Sequence, residues 1–260
     1  FIDEIKKVKG ILSDEPDLLR SLETYLSRWD LHNFISIVRG KFYSQPNEDI
    51  LYSVFPVGIL DDVRIKSLLK EENAYFVAER VKTVIKGLPF DITREDLKHL
   101  KDGELSRFEY KIYTSFYSKI LNQNVHPAVL EFYRYSIDAK NISLAIISLR
   151  NGEKPSFWID GGYFEGLKAK VLKCESIEEL QKVLMDSLKI RAVKLEGVDM
   201  LFERRFFEDV KREFRVDPVS FYSVMDYINE LERESASMRA IVYAKSFGLT
   251  PEQIKEVLYV

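Results

Sequence analysis

Apolar residues recur along this chain at three- and four-residue intervals, the spacing of one helix face. Ile5, Val8, Ile11 and Leu12 predict a helix over residues 3–13. Asp14-Glu15-Pro16 predicts a fresh start, because proline suits the first turn and acids suit the positive end of the helix dipole. Leu18, Leu19, Leu22 and Leu26 form the next face, which runs into residues 25–41, YLSRWDLHNFISIVRGK, until Pro46 breaks the pattern. A short helical piece over 48–54 leads into Phe55-Pro56-Val57-Gly58, a loop signal. Helices follow over 61–70 and 73–86, the second closed by Gly87, and Thr93 with Asp96 opens a short charged helix or turn. Ser106 with Glu109 reads as a capping box ahead of the stripe Phe108, Ile112, Phe116 and Ile120.

The second half continues in the same way. His126-Pro127 starts a long helix that carries Asp138 and Asn141 and stops at Asn151-Gly152. Residues 155–162 are the least helical part of the chain, with Trp158 as the expected anchor, and helix signals resume over 163–172. Ser176 with Glu179 predicts another capping box before Ile177, Leu180, Val183 and Leu184. Residues 199–215 place Phe202, Phe206, Phe207, Val210 and Phe214 on one apolar side. Asp217-Pro218 predicts an N-cap followed by proline at the first helical position. From there apolar positions run through Phe221, Met225, Ile228, Leu231, Met238 and Val242 to Phe247. Gly248 ends that helix and Thr250-Pro251-Glu252-Gln253 caps a final one. The predicted fold class is all-α.

The 25–41 stretch has echoes. An acid followed three positions later by a small polar residue occurs as Asp30 and Asn33, as Asp138 and Asn141, and as Glu234 and Ser237. At the offset that takes Asn33 to Ser237, Ile37 falls on Ile241, Val38 on Val242, Lys41 on Lys245, Glu48 on Glu252 and Ile50 on Ile254, with no gap. The middle copy keeps Asp138, Asn141, Ile142 and Ile146. Beyond the helix, residues 55–60 and 158–164 share an aromatic and then a glycine followed by two apolar residues. A helical unit of about one hundred residues can stack on copies of itself, so a threefold internal repeat is the expectation.

Composition narrows the function classes. With 46% hydrophobic and 31% charged residues but only 11 Gly and 8 Pro, the chain suits a helical globular body with an ample core. The 39 basic and 42 acidic residues leave a net charge of −3, which argues against nucleic acid as main partner, since phosphate binding needs a basic face. Cys174 is the one cysteine and cannot form an intrachain disulfide, in keeping with a reducing compartment. No run approaches the apolar length of a bilayer span. The start, Phe1-Ile2-Asp3-Glu4, lacks signal-peptide architecture and an initiator methionine, so a further segment is expected upstream.

Catalytic patterns are missing. His32, His99 and His126 are dispersed without a second ligand at helical spacing and read as surface or capping residues. Cys174 has no evident histidine partner, and Gly161-Gly162 lacks the residues of a phosphate loop. Asp61-Asp62 and Glu71-Glu72 are sequence neighbours and so point to different helix faces. Tyr110, Tyr113, Phe116 and Tyr117, like Phe132, Tyr133 and Tyr135, read as packing residues rather than base-stacking platforms. No catalytic residue, metal ligand or cofactor site is assigned.

The segments WDLHNFISIVRGK at 29–41, SIDAKNISLAI at 136–146 with FWIDGGYF at 157–164, and ESASMRAIVYAKSFGLTPEQIKEVL at 234–258 resemble the C subunit of archaeal and bacterial A/V-type ATPases, whose eukaryotic counterpart is the V-ATPase d subunit. The resemblance covers essentially the whole chain. It implies three similar helical bundles in a pseudo-threefold funnel: residues 1–105 with the N-terminal part of the bundle missing, 106–198 with the Gly-rich loop, and 199–260. Family members usually begin with an additional helical segment, and Ser237 stands where they often have Asn.

The implied role is a non-catalytic rotor part without a cofactor, peripheral on the cytoplasmic face of the membrane. Its funnel would take the foot of the central stalk, its other face would cap the proteolipid ring, and torque would pass between them during ATP synthesis or proton or sodium pumping. Asp30, Asn33, Asp138, Asn141 and Glu234 are candidates for partner contact, because a pseudo-threefold arrangement brings equivalent helix faces around one axis. The competing expectation is that these pairs make hydrogen bonds inside each bundle. Arg39, Arg150 and Arg239 are the stronger candidates for the funnel wall, since guanidinium groups suit polar interfaces. Two alternatives remain on the residues alone: a helical-repeat scaffold for another complex, and an all-α enzyme with an unfamiliar site.

Overall fold

The computed structural model describes residues 1–191, 195, 197–216 and 220–253, and among these every regular element is a helix. The all-α expectation therefore holds. In chain order the helices are α1 (Ile2–Ile11), α2 (Pro16–Phe42), α3 (Asn47–Tyr52), α4 (Asp62–Leu68), α5 (Ala74–Val84), α6 (Arg94–Lys101), α7 (Leu105–Leu121), α8 (Pro127–Arg150), α9 (Leu167–Val171), α10 (Ile177–Leu188), α11 (Val198–Val216) and α12 (Phe221–Ser246). They divide into two compact units, Pro16–Phe206 and the pairing of Phe1–Glu15 with Phe207–Val260.

The larger unit is built around α2. Its 27 residues bury Leu22, Tyr25, Leu26, Leu31, Phe34, Ile35, Ile37 and Val38, with Ser21, Thr24, Ser27, Asp30, Asn33 and Gly40 buried among them. Burial this widely distributed leaves only a narrow solvent edge, at His32 and Arg39, along the second half of the helix, as expected of a central helix wrapped by others. Helices α3, α5, α7 and α8 pack on it. The amphipathic stripe predicted for α7 is buried as expected, through Phe108, Ile112, Phe116 and Ile120. Helix α8 repeats the character of α2, burying Val129, Phe132, Tyr133, Tyr135, Ile137, Ile142, Ala145 and Ile146 together with Asp138 and Asn141. Helices α9 and α10 close the unit beside it.

Several polar groups buried between α2 and α8 are hydrogen-bonded, which offsets the cost of taking them out of water. The Tyr133 hydroxyl donates to the Thr24 carbonyl at 2.7 Å and lies 3.2 Å from Ser27 Oγ. Burial pushes its pKa well up, so it remains a neutral donor. The Ser21 hydroxyl accepts from the His126 amide at 2.9 Å, and Thr24 Oγ1 donates to Gln123 at 2.8 Å, tying α2 to the turn that launches α8. Aromatic edges fill the same seam, with Phe116 against Tyr133 and Tyr25 against Phe132. These rings are packing residues, as the sequence implies.

Several helix ends differ from expectation for identifiable reasons. Helix α7 begins at Leu105, so Ser106 lies inside it and no capping box forms there. Glu104 stands at its N-cap instead, and its carboxylate is engaged by His99 Nδ1 at 2.7 Å and by Arg107. The helical signal over 163–172 narrows to α9, because the amides of Tyr163 and Phe164 are held by another group described below. Helix α5 stops at Val84, short of Gly87. Elsewhere the caps form: Thr93 and Asp96 make a reciprocal capping box, His126 Nδ1 accepts from Ala128, and Ser176 accepts from Glu179. At Ser176 the reciprocal arm lands one residue early, since the Glu179 carboxylate takes the Glu175 amide. The cap expected at Asp217-Pro218 lies outside the described residues.

In the smaller unit, α1 buries Ile5 and Val8, while α12 buries Phe221, Met225, Ile228 and Asn229 along its N-terminal half. Thr250 and Gln253 exchange hydrogen bonds across the start of the predicted final helix. No helix among the described residues is long and apolar enough to cross a membrane.

The α2–α8 seam yields a direct test. Tyr133→Phe removes the donor to the Thr24 carbonyl and should lower stability by about 1 kcal/mol, read as an earlier midpoint in denaturant unfolding. An unchanged midpoint would show that this hydroxyl contributes nothing.

Candidate functional site

The residues singled out by the repeat hold loops against helices. Asp30 and Asn33 lie three apart on α2 and so project from one side of it. Asn33 makes a reciprocal pair with Phe55: its Nδ2 donates to the Phe55 carbonyl at 2.6 Å and its Oδ1 accepts from the Phe55 amide at 2.7 Å. One turn away, the Asp30 carboxylate accepts two successive amides, Ile59 at 3.0 Å and Leu60 at 2.7 Å. Both side chains are buried, 1% exposed for Asp30 and 0% for Asn33. Trp29 packs on the Phe55 ring, and His32 Nε2 lies 2.7 Å from the Ser53 carbonyl. A stretch without helical hydrogen bonds is thereby pinned to the central helix.

The same device recurs on α8. Asn141 donates to the Ile159 carbonyl at 2.8 Å and accepts from the Ile159 amide at 2.7 Å. Asp138 Oδ2 accepts from Tyr163 at 2.7 Å and Phe164 at 2.9 Å. In both copies the amide-paired residue is followed three positions later by glycine, Gly58 or Gly162, and then by the two residues whose amides meet the carboxylate. An aromatic on the helix again packs on the loop, here Tyr135 against Tyr163 and Phe164.

The glycines follow from the approach distance. A Cβ added at Gly58 would stand 2.3 Å from Asp30 Oδ2, and one at Gly162 would stand too close to Asp138 Oδ1 for any side chain. Only a backbone without a side chain lets the carboxylate reach the next two amides. The expected anchor, Trp158, is half-exposed; the buried residue is Ile159, at the position of Phe55. The Tyr110 hydroxyl donates to the Trp158 carbonyl at 2.9 Å, so this residue is held through its backbone.

The remaining candidates are placed differently. Arg39 forms a two-pronged ion pair with Glu109 that ties α2 to α7, with Nη2 to Oε2 at 2.6 Å. That hydrogen bond raises the Arg39 pKa above its ordinary value. Arg150 is exposed at the end of α8 and Arg239 is half-buried on α12. Glu234 and Ser237 are both exposed on α12. The structure thus brings Asp30 together with Asn33 and Asp138 together with Asn141, each over its own loop. Their loop partners escaped the sequence reading. The signal available for them was the spacing from an apolar residue to glycine and two apolar residues.

Among the described residues no three His, Cys, Asp or Glu side chains converge where they could hold a metal ion. Cys174 is buried, its thiol pKa pushed up by burial, with Sγ against the Lys170 carbonyl. An open cavity of about 170 Å³ lies among α2, α7 and α8, lined by Arg28, His32, Tyr113, Tyr117 and Ser136 among others.

Comparison with known proteins gives a consistent result. A family model described as ATP synthase (C/AC39) subunit matches residues 1–257. The chain is 25% identical over 256 residues to the C subunit of the A-type ATP synthase of Thermococcus onnurineus, covering 90% of this chain and 66% of that protein. It is 24% identical over 250 residues to the C subunit of the A-type ATP synthase of Archaeoglobus fulgidus, covering 91% and 71%. With the protein of that name from Pyrococcus furiosus the identity is 25% over 280 residues, covering 99% and 72%. The chain spans about two thirds of the length of the curated relatives it matches.

Two predictions come from the clamped loops. Gly58→Ala and Gly162→Ala should each destabilise the protein by about 2–3 kcal/mol, since the new methyl displaces a buried carboxylate from two amides; thermal unfolding of each variant measures this. The second concerns pH. Burial pushes the Asp138 pKa up to about 6, although its two amide donors pull the other way. The folded state therefore holds this proton more tightly than the unfolded chain. The resulting stabilisation is full below the unfolded value near 4 and is lost as pH rises through about 6. The stability of the wild type minus that of Asp138→Asn should fall by up to about 1.4 kcal/mol per pH unit across that window. Denaturant unfolding of both proteins at several pH values reads the difference directly.

Proposed function

The chain belongs to the ATP synthase (C/AC39) subunit family, and on that premise we propose that it is a non-catalytic rotor part that couples a central stalk to a ring of membrane proteolipids. The observation that carries this reading is the family match over residues 1–257. In this role the protein sits peripherally on the cytoplasmic face, takes the foot of the stalk into a recess and rests on the ring. Torque passes through it during ATP synthesis or ATP-driven transport of protons or sodium ions. The relatives' name, which makes each the C subunit of an A-type ATP synthase, is consistent with that placement.

The physical demands of the role fit what the chain is made of. A part that transmits torque must deform little under load, and loops are ordinarily its softest elements. Here two loops are pinned by buried carboxylate and amide groups to the helices that precede them. Three long helices at repeat positions, α2, α8 and α12, support the reading of three similar bundles around a pseudo-threefold axis, with approximate spans 1–105, 106–198 and 199–260. Arg150 and Arg239 are assigned to the wall that meets the stalk, because guanidinium groups pair with polar partners at a rim.

Size-exclusion chromatography with a purified central-stalk protein and a detergent-solubilised proteolipid ring tests the assignment. The chain should coelute with both and hydrolyse no ATP alone. Arg150→Glu should weaken stalk binding about tenfold, a loss of ~1.4 kcal/mol, in a variant that circular dichroism shows to be folded. If the folded chain coelutes with neither component, the assignment is wrong.

A further inference from the structure

The two clamps share a plan but divide their hydrogen bonds differently. Asp30 uses both oxygens, Oδ2 accepting the Ile59 amide at 3.0 Å and Oδ1 the Leu60 amide at 2.7 Å. Asp138 gathers both amides on one atom: Oδ2 accepts from Tyr163 at 2.7 Å and from Phe164 at 2.9 Å, and Oδ1 accepts from neither. That difference decides what a proton does. A protonated carboxyl keeps one good acceptor, its carbonyl oxygen, while the other oxygen becomes an O–H donor. On Asp138 the proton can sit on Oδ1 and leave Oδ2 as a carbonyl that still bears both amides. On Asp30 either oxygen that takes the proton turns a donor toward an N–H.

We propose that the two clamps form a differential pH device: protonation of Asp30 opens the first loop at Ile59 and Leu60, whereas protonation of Asp138 on Oδ1 leaves the second loop closed. The surroundings of Asp138 supply no competing charge. Burial holds its pKa up at about 6 against the pull of the Phe164 and Tyr163 amides, and no charged side chain adds to either effect. Arg134, one turn earlier on α8, points Nη1 at the Gly161 carbonyl at 3.3 Å. In the loop Asp160 pairs with Lys168 of α9 at 2.8 Å, both exposed, and the Tyr163 ring packs on Tyr135. From α7 and α11 come apolar groups, Leu121 beside Gly161 and Phe202 against Phe164. Around Asp30, Arg64 of α4 donates to the Ile59 carbonyl at 2.9 Å and pairs with Asp61. Tyr133 of α8 is a neutral donor, Arg28 stacks on the Tyr25 and Phe132 rings, and His32 lies on the Ser53 carbonyl. Phe90 and Phe108 pack one turn on, against Phe34. Each loop thus has one arginine on a carbonyl, and the placement of the amides on the carboxylate is what distinguishes them. This inference rests on the two clamps and is independent of the rotor assignment.

Neutral isosteres mimic the two protonated states. Asparagine at position 138 can place its oxygen where Oδ2 stands and its NH2 where Oδ1 stands, whereas asparagine at position 30 turns an NH2 toward one of the two amides. Hydrogen exchange of the whole chain, expressed as protection factors so that the intrinsic pH dependence of exchange drops out, reads each loop separately. Asp138→Asn should leave Tyr163 and Phe164 within about twofold of wild-type protection, and Asp30→Asn should lower the protection of Ile59 or Leu60 about tenfold. In the wild type, protection of Tyr163 and Phe164 should hold as pH falls through about 6. On further acidification Ile59 and Leu60 should open first. A carboxylate that served only as packing would move both loops alike. The proposal is overturned if Asp138→Asn exposes its loop, if Asp30→Asn keeps both amides protected, or if Ile59 and Leu60 of the wild type do not open ahead of Tyr163 and Phe164. The wild-type series decides the matter even where Asp30→Asn fails to fold.

Discussion

The fold depends on backbone amides that no secondary structure can satisfy. Segments 55–60 and 159–164 lie between helices, so their N–H groups lack ladder partners and would cost free energy if buried bare. Two helix-borne side chains per segment meet that need: an asparagine, which can donate and accept together, and a carboxylate, which accepts twice. Because these groups are themselves buried, they require the loop as much as the loop requires them. Helix and loop are mutually conditional, and the surrounding helices pack on the composite.

Much of the helical layout was legible in the sequence because it rests on local chemistry. Apolar periodicity located the stripe of α7, and Pro127 behind His126 marked the start of α8. The errors came where a tertiary partner took over a local signal. Ser106 with Glu109 has the spacing of a cap, yet the Glu104 carboxylate is held by His99 and Arg107 and the helix starts earlier. Tyr163 and Phe164 have helical neighbours, but Asp138 holds their amides away from the ladder.

The candidate site was half legible. The acid and amide pairs stood out by repetition, and the glycine with two apolar residues was visible beyond each helix. What could not be read was that the two features meet. A side chain aimed at backbone leaves little trace of its partner's identity, because any residue except proline offers an amide. Matching aromatic to aromatic also pairs Phe55 with Trp158, whereas the hydrogen bonds pair Phe55 with Ile159. The reciprocal backbone pair with asparagine, rather than ring chemistry, defines that position.

The two clamps span different lengths of chain. Asn33 reaches a residue 22 positions onward, whereas Asn141 reaches one only 18 onward. Inside the clamped segment the spacing from paired residue to glycine to bound amides is the same in both. Length variation between the copies is thus confined to the connecting stretch. Insertions and deletions in the non-helical parts of that stretch change the slack of a tether, while one inside the short segment would put the wrong amides under the carboxylate. The chain therefore has a natural division between regions that can be lengthened or grafted and a six-residue register that cannot shift.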